Sequence, residues 1–314
     1  MRYVKCNLCG AEDHEVLFEK GNGLAHRIVR CRRCELMFAN PQEIVDCERL
    51  LSAAASEEID LNGPGRQYFK KQLVQLPDNL RALAMLNRLL PQRGRILEVG
   101  SFLGIFLDRI RAEGWDVVGL EPDHAVAEYA RKTYGLPIVE GVLPNPNLGS
   151  GQFDAVMMLH VIEHMPDPTG SLRELRRLLK PGGVLVVETP RFDSLIFKLV
   201  GRRERSLNNC SGHIYFFTVG TLTRLGEQCG LKAEKVELVG RTLTVDRLLG
   251  NLGAMSQNRR FSKWLGRISA CLHLDRVRLK INVRDMQRIY FRAAEAPEHS
   301  SWAVERELEV PSLT

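Results

Sequence analysis

The chain has 314 residues, 44% of them hydrophobic, eight cysteines and a formal charge of +6 at pH 7. That length and balance suit one large α/β domain with small additions, and no segment approaches the roughly 20 apolar residues of a membrane-spanning helix. The first residues, Met1 to Cys6, hold no apolar stretch of secretory type, so a cytoplasmic location with reduced cysteines is the expectation.

At the N-terminus, Cys6-Asn7-Leu8-Cys9 and Cys31-Arg32-Arg33-Cys34 form two C-x-x-C pairs across a short hairpin region. Four thiolates at this spacing close a tetrahedral zinc site, and metal binding supplies folding energy that so small a unit lacks. Cys6, Cys9, Cys31 and Cys34 are therefore expected to hold a structural zinc in a module spanning 1–46. Four cysteines leave no open position for a catalytic water; buried or redox-active thiols are the alternative. Arg27, Arg30, Arg32 and Arg33 raise a competing reading, a ribbon that binds RNA, although no aromatic residues interleave with them for base stacking. Cys47, Cys210, Cys229 and Cys271 have no partner at metal spacing and are expected to pack in apolar surroundings.

Residues 47–91 read as two helical pieces joined at Asn62-Gly63-Pro64-Gly65. An apolar run then enters a Gly turn, Arg95-Ile96-Leu97-Glu98-Val99-Gly100-Ser101-Phe102-Leu103-Gly104, and a second apolar run ends in a carboxylate, Val117-Val118-Gly119-Leu120-Glu121-Pro122. A Rossmann-like sheet holds an adenosine in this way, with the acid accepting two ribose hydroxyls. A dinucleotide fingerprint counted from Gly100 needs small residues where Phe102 and Ile105 stand, which argues against a pyrophosphate and for S-adenosylmethionine. A third strand, Pro137 to Glu140, leads to Gly141-Val142. An aspartate-led strand, Phe153 to Leu159, runs into His160-Val161-Ile162-Glu163-His164-Met165-Pro166-Asp167-Pro168. Next come a helix around Leu175 to Leu179, Lys180-Pro181-Gly182-Gly183, and the apolar run Val184 to Pro190.

These motifs, in this order over roughly 80–240, resemble the class I S-adenosylmethionine-dependent methyltransferases of small-molecule type. The resemblance implies an α/β fold with a Rossmann-like seven-stranded sheet over 92–296, and a helix before the first strand that lies over the cofactor as a lid, with Tyr68 and Phe69 either there or in ordinary packing. Glu98 then anchors the turn or receives an amine hydrogen bond. Gly100, Ser101, Phe102 and Gly104 bring backbone to the methionine moiety, with amides open to the ligand, and Phe102 departs from the commonest motif. Glu121 takes the ribose, and Pro122 and Asp123 border the adenine. Many relatives place an acid after the glycine of the third strand; here Gly141 is followed by Val142, so adenine recognition rests on backbone and apolar packing. The paired cysteines resemble a zinc-ribbon-like front end of some bacterial methyltransferases of sugar, polysaccharide or natural-product pathways, with Glu35 in place of the usual Gly.

Methyl transfer needs orientation and, for a hydroxyl acceptor, one base. His160, at the strand end where the methyl group should point, is the first candidate and a cofactor contact; His164 and His213 are the others, and hydrogen-bonding structural roles are the alternative for this loop. His160-Val161-Ile162-Glu163-His164 also fits an inverted zinc-protease pattern, which requires a helix that the preceding strand and Pro166 deny. The loop further resembles the metal-assisted loop of ubiquinone-type O-methyltransferases, leaving open a second divalent ion.

Arg202-Arg203-Glu204-Arg205 is a basic patch, read as a phosphate contact or a solvated loop. Gly212 to Thr218 resembles a segment leading into a helix beside the acceptor pocket, with Thr218 as N-cap, Gly230 as terminator, and His213 and Tyr215 as acceptor contacts or aromatic core. Strands are expected over Val236–Val239 and Met286–Arg292, separated by a basic helical insertion at about 241–280 with Leu248, Leu249, Phe261, Trp264, Leu265 and Ile268. Its 247–270 stretch would touch an anionic membrane, cap the site, form a homodimer or pack on its own domain. Residues 297–314 read as a tail. The function expected is methyl transfer to a small-molecule acceptor, a sugar, glycolipid or polysaccharide precursor or secondary metabolite, with O-methylation slightly favoured over C-methylation. The alternatives are a zinc-ribbon RNA protein and a non-catalytic Rossmann-like module.

Overall fold

A computed structural model describes residues 1–42 apart from 22, 65–204, 207, 212–249 apart from 247, 259–272, 274 and 277–294. The first three strands are β1 (His14–Phe18), β2 (Ile28–Cys31) and β3 (Met37–Ala39). Helix α1 (Gly65–Leu89) leads to β4 (Arg95–Val99), α2 (Ile105–Ala112), β5 (Asp116–Glu121), α3 (His124–Tyr134) and β6 (Ile138–Glu140). The chain continues through β7 (Phe153–Leu159), α4 (Pro168–Leu178), β8 (Leu179–Pro190), α5 (Leu195–Val200), β9 (Tyr215–Phe216) and α6 (Val219–Gln228). It closes with β10 (Leu231–Thr244), α7 (Arg259–Cys271) and β11 (Arg278–Ala293).

Apolar alternation decides the main sheet. In β4, Ile96 faces one helical layer and Leu97 and Val99 the other; β7 repeats this with Ala155 and Met157 against Val156 and Met158. Strands buried on both faces belong between two layers of helices. Seven strands accordingly run in the order β10-β11-β8-β7-β4-β5-β6, with β11 antiparallel to both neighbours. This is the Rossmann-like sheet expected from the motifs. The loops after the parallel strands β4, β5, β6 and β7 gather at one sheet end, where such folds bind ligands. At the opposite end, Asp154 accepts the Arg95 amide at 2.8 Å and pairs with Lys180, tying β7 to β4.

The cysteine module is not a separate bead. Its strands form a second, four-stranded sheet whose last member is β9, from the distant segment before α6. Met37 pairs with Phe216 and Phe38 with Tyr215, and the Phe38 and Tyr215 rings stack 6.1 Å apart. Asn7 completes the junction by bonding both Thr169 and Asp167 at the start of α4.

Thr218 caps α6 through a reciprocal capping box with Thr221. Two expectations change. The arms flanking the insertion are longer strands than the sequence suggested, since Arg241 to Thr244 pair with Arg278 to Ile281. The thiol of Cys271 is exposed at the end of α7, whereas Cys229 is buried as expected. The first helical piece of 47–61, residues 62–64 of the turn that follows it, the basic residue Arg205, Cys47, Cys210, residues 247 and 250–258 of the insertion and the 297–314 tail lie outside the described residues. Among the described residues, no helix is long and apolar enough to cross a membrane.

Candidate functional site

The turn after β4 is closed by its own amides. Gly100 and Ser101 both donate to the Leu120 carbonyl, at 2.8 and 3.2 Å, and Gly104 donates to Ser101 at 3.0 Å. The amides expected to stay open to a ligand are therefore engaged, which corrects that part of the reading. The glycine at 100 instead allows a close approach: φ is +74° and an added Cβ would lie 2.7 Å from Val161 Cγ2 in the loop after β7. Phe102 has φ +51°, so it adopts the left-handed conformation that a glycine would take without strain. Its ring packs with Phe69 and Leu73 of α1 against Leu103, Ile105 and Val126, which brings α1 over the turn. Ser101 is wholly buried and its hydroxyl faces β5, where a Cβ on Gly119 would lie 2.6 Å away. Gly104 begins α2 at φ +75°, close against Ala130 and Leu136.

Two buried carboxyls end the neighbouring strands. Glu121 accepts the Phe102 amide at 2.9 Å on Oε2 and the Asp123 amide at 3.1 Å on Oε1. Burial outweighs these bonds and pushes its pKa up to about 7. Glu98 is pushed well above the usual carboxylate range by burial and by the charge of Glu121, and its Oε2 receives no hydrogen bond. A buried acceptor without a donor beside a second acid fits the ammonium and ribose hydroxyls of S-adenosylmethionine. Pro122 and Asp123 border this place half-buried, with the Asp123 carboxylate committed to capping α3 through Val126 at 3.1 Å. Gly141 donates to the Glu121 carbonyl at 3.1 Å, and a Cβ there would meet Asn145, whose side chain bonds the Glu140 carbonyl. Val142 is half-buried beside it.

Three histidines converge on a third buried acid. His160 leaves β7 with φ +60° and donates its backbone N–H to the Glu188 carbonyl at 2.8 Å. Its Nε2 lies 3.4 Å from Glu188 Oε1 and its Nδ1 4.0 Å from Glu163 Oε1. A single 3-10 turn, Ile162–His164, follows, so the inverted-protease reading lacks the helix it needs. Thr189 donates to Glu163 Oε2 at 2.9 Å, while Oε1 receives no hydrogen bond and stands 3.8 Å from His213 Nε2. His164, exposed, turns Nδ1 to the Gly212 carbonyl at 2.8 Å, and its ring meets that of His213 at 4.6 Å. The ligand atoms of Glu163, His164 and His213 lie within 4.8 Å of one another, the distance condition for a divalent ion.

Sequence reading missed the support beneath His160. Arg288 of β11 is buried, donates to Glu188 Oε2 from Nε at 2.6 Å, and bonds the Asp78 carbonyl at 3.0 Å. Burial alone would raise the Glu188 carboxyl; the His160 hydrogen bond and the charge of Arg288 outweigh it and hold it below the usual range. Tyr215 is 2% exposed and stacked on Phe217, so it belongs to the core of the junction.

In the N-terminal module the four sulfurs lie within 4.8 Å of one another, with Cys6 and Cys34 at 3.3 Å and Cys9 and Cys31 at 3.5 Å. A tetrahedron of thiolates around zinc separates sulfurs by roughly 3.8 Å, so the donor set fits that ion. Gly10 and Glu35 end the two knuckles at φ +72° and +66°, so Glu35 keeps the turn that a glycine would make. Arg27, Arg30 and Arg32 pair with Glu19, Glu15 and Asp13, which neutralises most of the basic face invoked for RNA. Arg202 reaches the Gly21 carbonyl at 3.1 Å.

Residues 69–236, more than half of the chain, match the methyltransferase-domain family. Ubiquinone biosynthesis O-methyltransferase of Xanthomonas axonopodis pv. citri is 32% identical over 111 residues, covering 32% of this chain and 45% of that one. An uncharacterized 37.1 kDa protein of transposon TN4556 from Streptomyces fradiae is 36% identical over 100 residues, 31% of this chain and 29% of its own length. The chain thus spans less than half the length of these curated relatives. Among solved structures, a chain from the complex of the Haloferax volcanii Trm112 methyltransferase activator with a methyltransferase superposes with a TM-score of 0.51 at 15% identity, over 78% of this chain and 98% of that one.

Proposed function

Because the chain belongs to the methyltransferase-domain family, we propose that it transfers a methyl group from S-adenosylmethionine to a hydroxyl of a small-molecule acceptor. One observation carries this reading: Glu121 closes onto the Gly100–Gly104 turn, with the unpartnered Oε2 of Glu98 in the neighbouring strand. Each Glu121 oxygen keeps a lone pair beyond its amide bond, enough for the two ribose hydroxyls. Glu98 Oε2 receives the ammonium; Gly100 and Phe102 shape the floor, with Ser101 and Gly104 buried beneath it, and Pro122, Asp123, Gly141 and Val142 border the adenine. When bound, S-adenosylmethionine supplies an electrophilic methyl carbon whose bonding pair leaves with the sulfur.

His160 acts as the base for the acceptor hydroxyl, with His164 and His213 lining the acceptor side. The curated relatives named for ubiquinone biosynthesis are O-methyltransferases, which supports oxygen over carbon as the acceptor atom. A sugar, a glycolipid or polysaccharide precursor, or a secondary metabolite is the acceptor class. Cys6, Cys9, Cys31 and Cys34 hold a structural zinc in a 1–46 module, ahead of a 47–91 lid and a 92–296 catalytic domain, in a cytoplasmic protein. The 247–270 segment is read as a contact with an anionic membrane surface or a second copy; within it Lys263 and Trp264 of α7 are exposed.

Calorimetric titration of the zinc-replete chain with S-adenosylhomocysteine, with NAD as control, tests the cofactor. Binding of the former alone, followed by methyl transfer to a hydroxylated acceptor, supports the reading; absence of binding overturns it.

A further inference from the structure

The sheet register places a buried carboxylate between a cation and the candidate base. Glu188 is directly opposite Arg288 in the antiparallel β8–β11 pair and beside Leu159 in the parallel β7–β8 pair, one residue before His160. Arg288 holds Oε2, and Oε1 is left facing His160 Nε2 at 3.4 Å. A buried ion pair is weak evidence for stability, since apolar residues of similar size commonly serve as well. One that turns its second oxygen toward an imidazole at the mouth of the site has a use that apolar residues could not supply.

We propose that Glu188, fixed by Arg288, is a positioning residue that holds His160 as the Nε2–H tautomer and thereby makes Nδ1 the proton acceptor. This rests on the methyl-transfer reading for its consequence and not for its geometry. An ionised carboxylate only accepts, so the imidazole nitrogen facing it carries the proton. The other nitrogen, Nδ1, then carries the free lone pair; at 4.0 Å from Glu163 Oε1 it is not hydrogen-bonded to that oxygen, and an acceptor hydroxyl that approaches Nδ1 meets a proton acceptor there. In the reaction, the O–H bond of the acceptor breaks, its proton bonds to Nδ1 and its electron pair stays on the oxygen that attacks the methyl carbon. The imidazolium formed lies between the Glu188 and Glu163 carboxyls, so the charge appears where acceptors already stand.

The test is nitrogen-15 NMR of the histidine rings in the zinc-loaded full chain, with His160 assigned by loss of its signals in His160→Gln. The expected result is a protonated Nε2 and an unprotonated Nδ1 in neutral His160; the opposite tautomer in the wild type overturns the proposal, whatever any variant does. Glu188→Gln can present an amide N–H to Nε2, so it should reverse the tautomer and lower kcat by about 100-fold or more while S-adenosylhomocysteine affinity holds. Glu188→Asp should recover part of that loss. A folded Glu188→Gln chain with unchanged tautomer and kcat also overturns the proposal. Failure of S-adenosylhomocysteine to bind would sink the methyl-transfer reading and leave the ring assignment readable, so the two failures are distinct.

Discussion

The carboxylate of Glu121 reaches back 19 residues to accept the backbone N–H of Phe102 at 2.9 Å. That bond locks together the two sequence features from which an adenosine site can be read, the glycine turn and the strand-end acid. It also accounts for the tolerance of Phe102 at a left-handed position: the amide is fixed by Glu121, and the ring is held against Leu103, Ile105 and Val126.

Two substitutions at Phe102 separate these effects. Phe102→Gly removes about 1–2 kcal/mol of left-handed strain but loses ring packing and adds unfolded-state freedom, so its net change should be small. Phe102→Ala keeps the strain and loses the ring, and should be the less stable of the two by up to about 1 kcal/mol, the strain less the freedom that glycine adds to the unfolded chain. Urea unfolding of both variants checks the order; an alanine variant more stable than the glycine variant would show that left-handed strain at 102 does not outweigh the freedom glycine adds to the unfolded chain.

Gly100→Ala is expected to damage the site by a different route. The new Cβ would meet Val161 Cγ2 at 2.7 Å at a residue with φ +74°, so the Val161 side chain, next to His160, must shift and the backbone at 100 is strained. The backbone term alone is about 1–2 kcal/mol. Thermal unfolding should shift down, and S-adenosylhomocysteine affinity should fall with it; wild-type affinity would mean the turn does not face the ligand.

Zinc removal should be felt at a distance. Ala39 donates to the Ile214 carbonyl at 2.8 Å and Arg224 to the Cys34 carbonyl at 2.6 Å, so the ribbon and the segment bearing His213 share one framework. Binding energies of about 10–16 kcal/mol for structural zinc imply that the module loosens without it. Hydrogen exchange after chelation should speed up at 28–39 and 213–217 and stay slow in β4 and β5. Equal protection with and without metal at 213–217 would separate the ribbon from the site.

The glycine turn, its paired acid and the two cysteine pairs were legible because each is local: a handful of adjacent residues carries both the conformation and the chemistry. The histidine cluster was legible only as candidates, since His213 reaches Glu163 through a loop 50 residues later. Glu188 and Arg288 gave no signal at all. They are 100 residues apart, inside apolar strands where a single charge reads as a strand end or an exposed edge, and only the pairing of β8 with β11 brings them together. The joining of β9 to the ribbon was hidden for the same reason, because a two-residue strand has no periodicity of its own.

The pKa of Glu121 predicts two opposite pH trends from one group. Burial raises it from 4.5 to about 7 in the ligand-free chain, so below that value the carboxyl is mostly protonated and one oxygen no longer accepts. Binding that needs both oxygens selects the ionised form, and affinity for S-adenosylhomocysteine should drop about tenfold for each pH unit below 7 and level off above it. Stability of the free protein runs the other way. A carboxyl whose folded pKa is raised binds more protons folded than unfolded, so its contribution is full below pH 4.5 and is lost as pH rises through about 7, on the order of 3 kcal/mol. Glu98, raised by burial and by Glu121, shifts in the same direction. Calorimetry from pH 5.5 to 8.5 on wild type and Glu121→Gln tests this: the variant should bind weakly and with its steep dependence gone. A wild-type affinity that is flat across pH 7 would place the ribose away from Glu121.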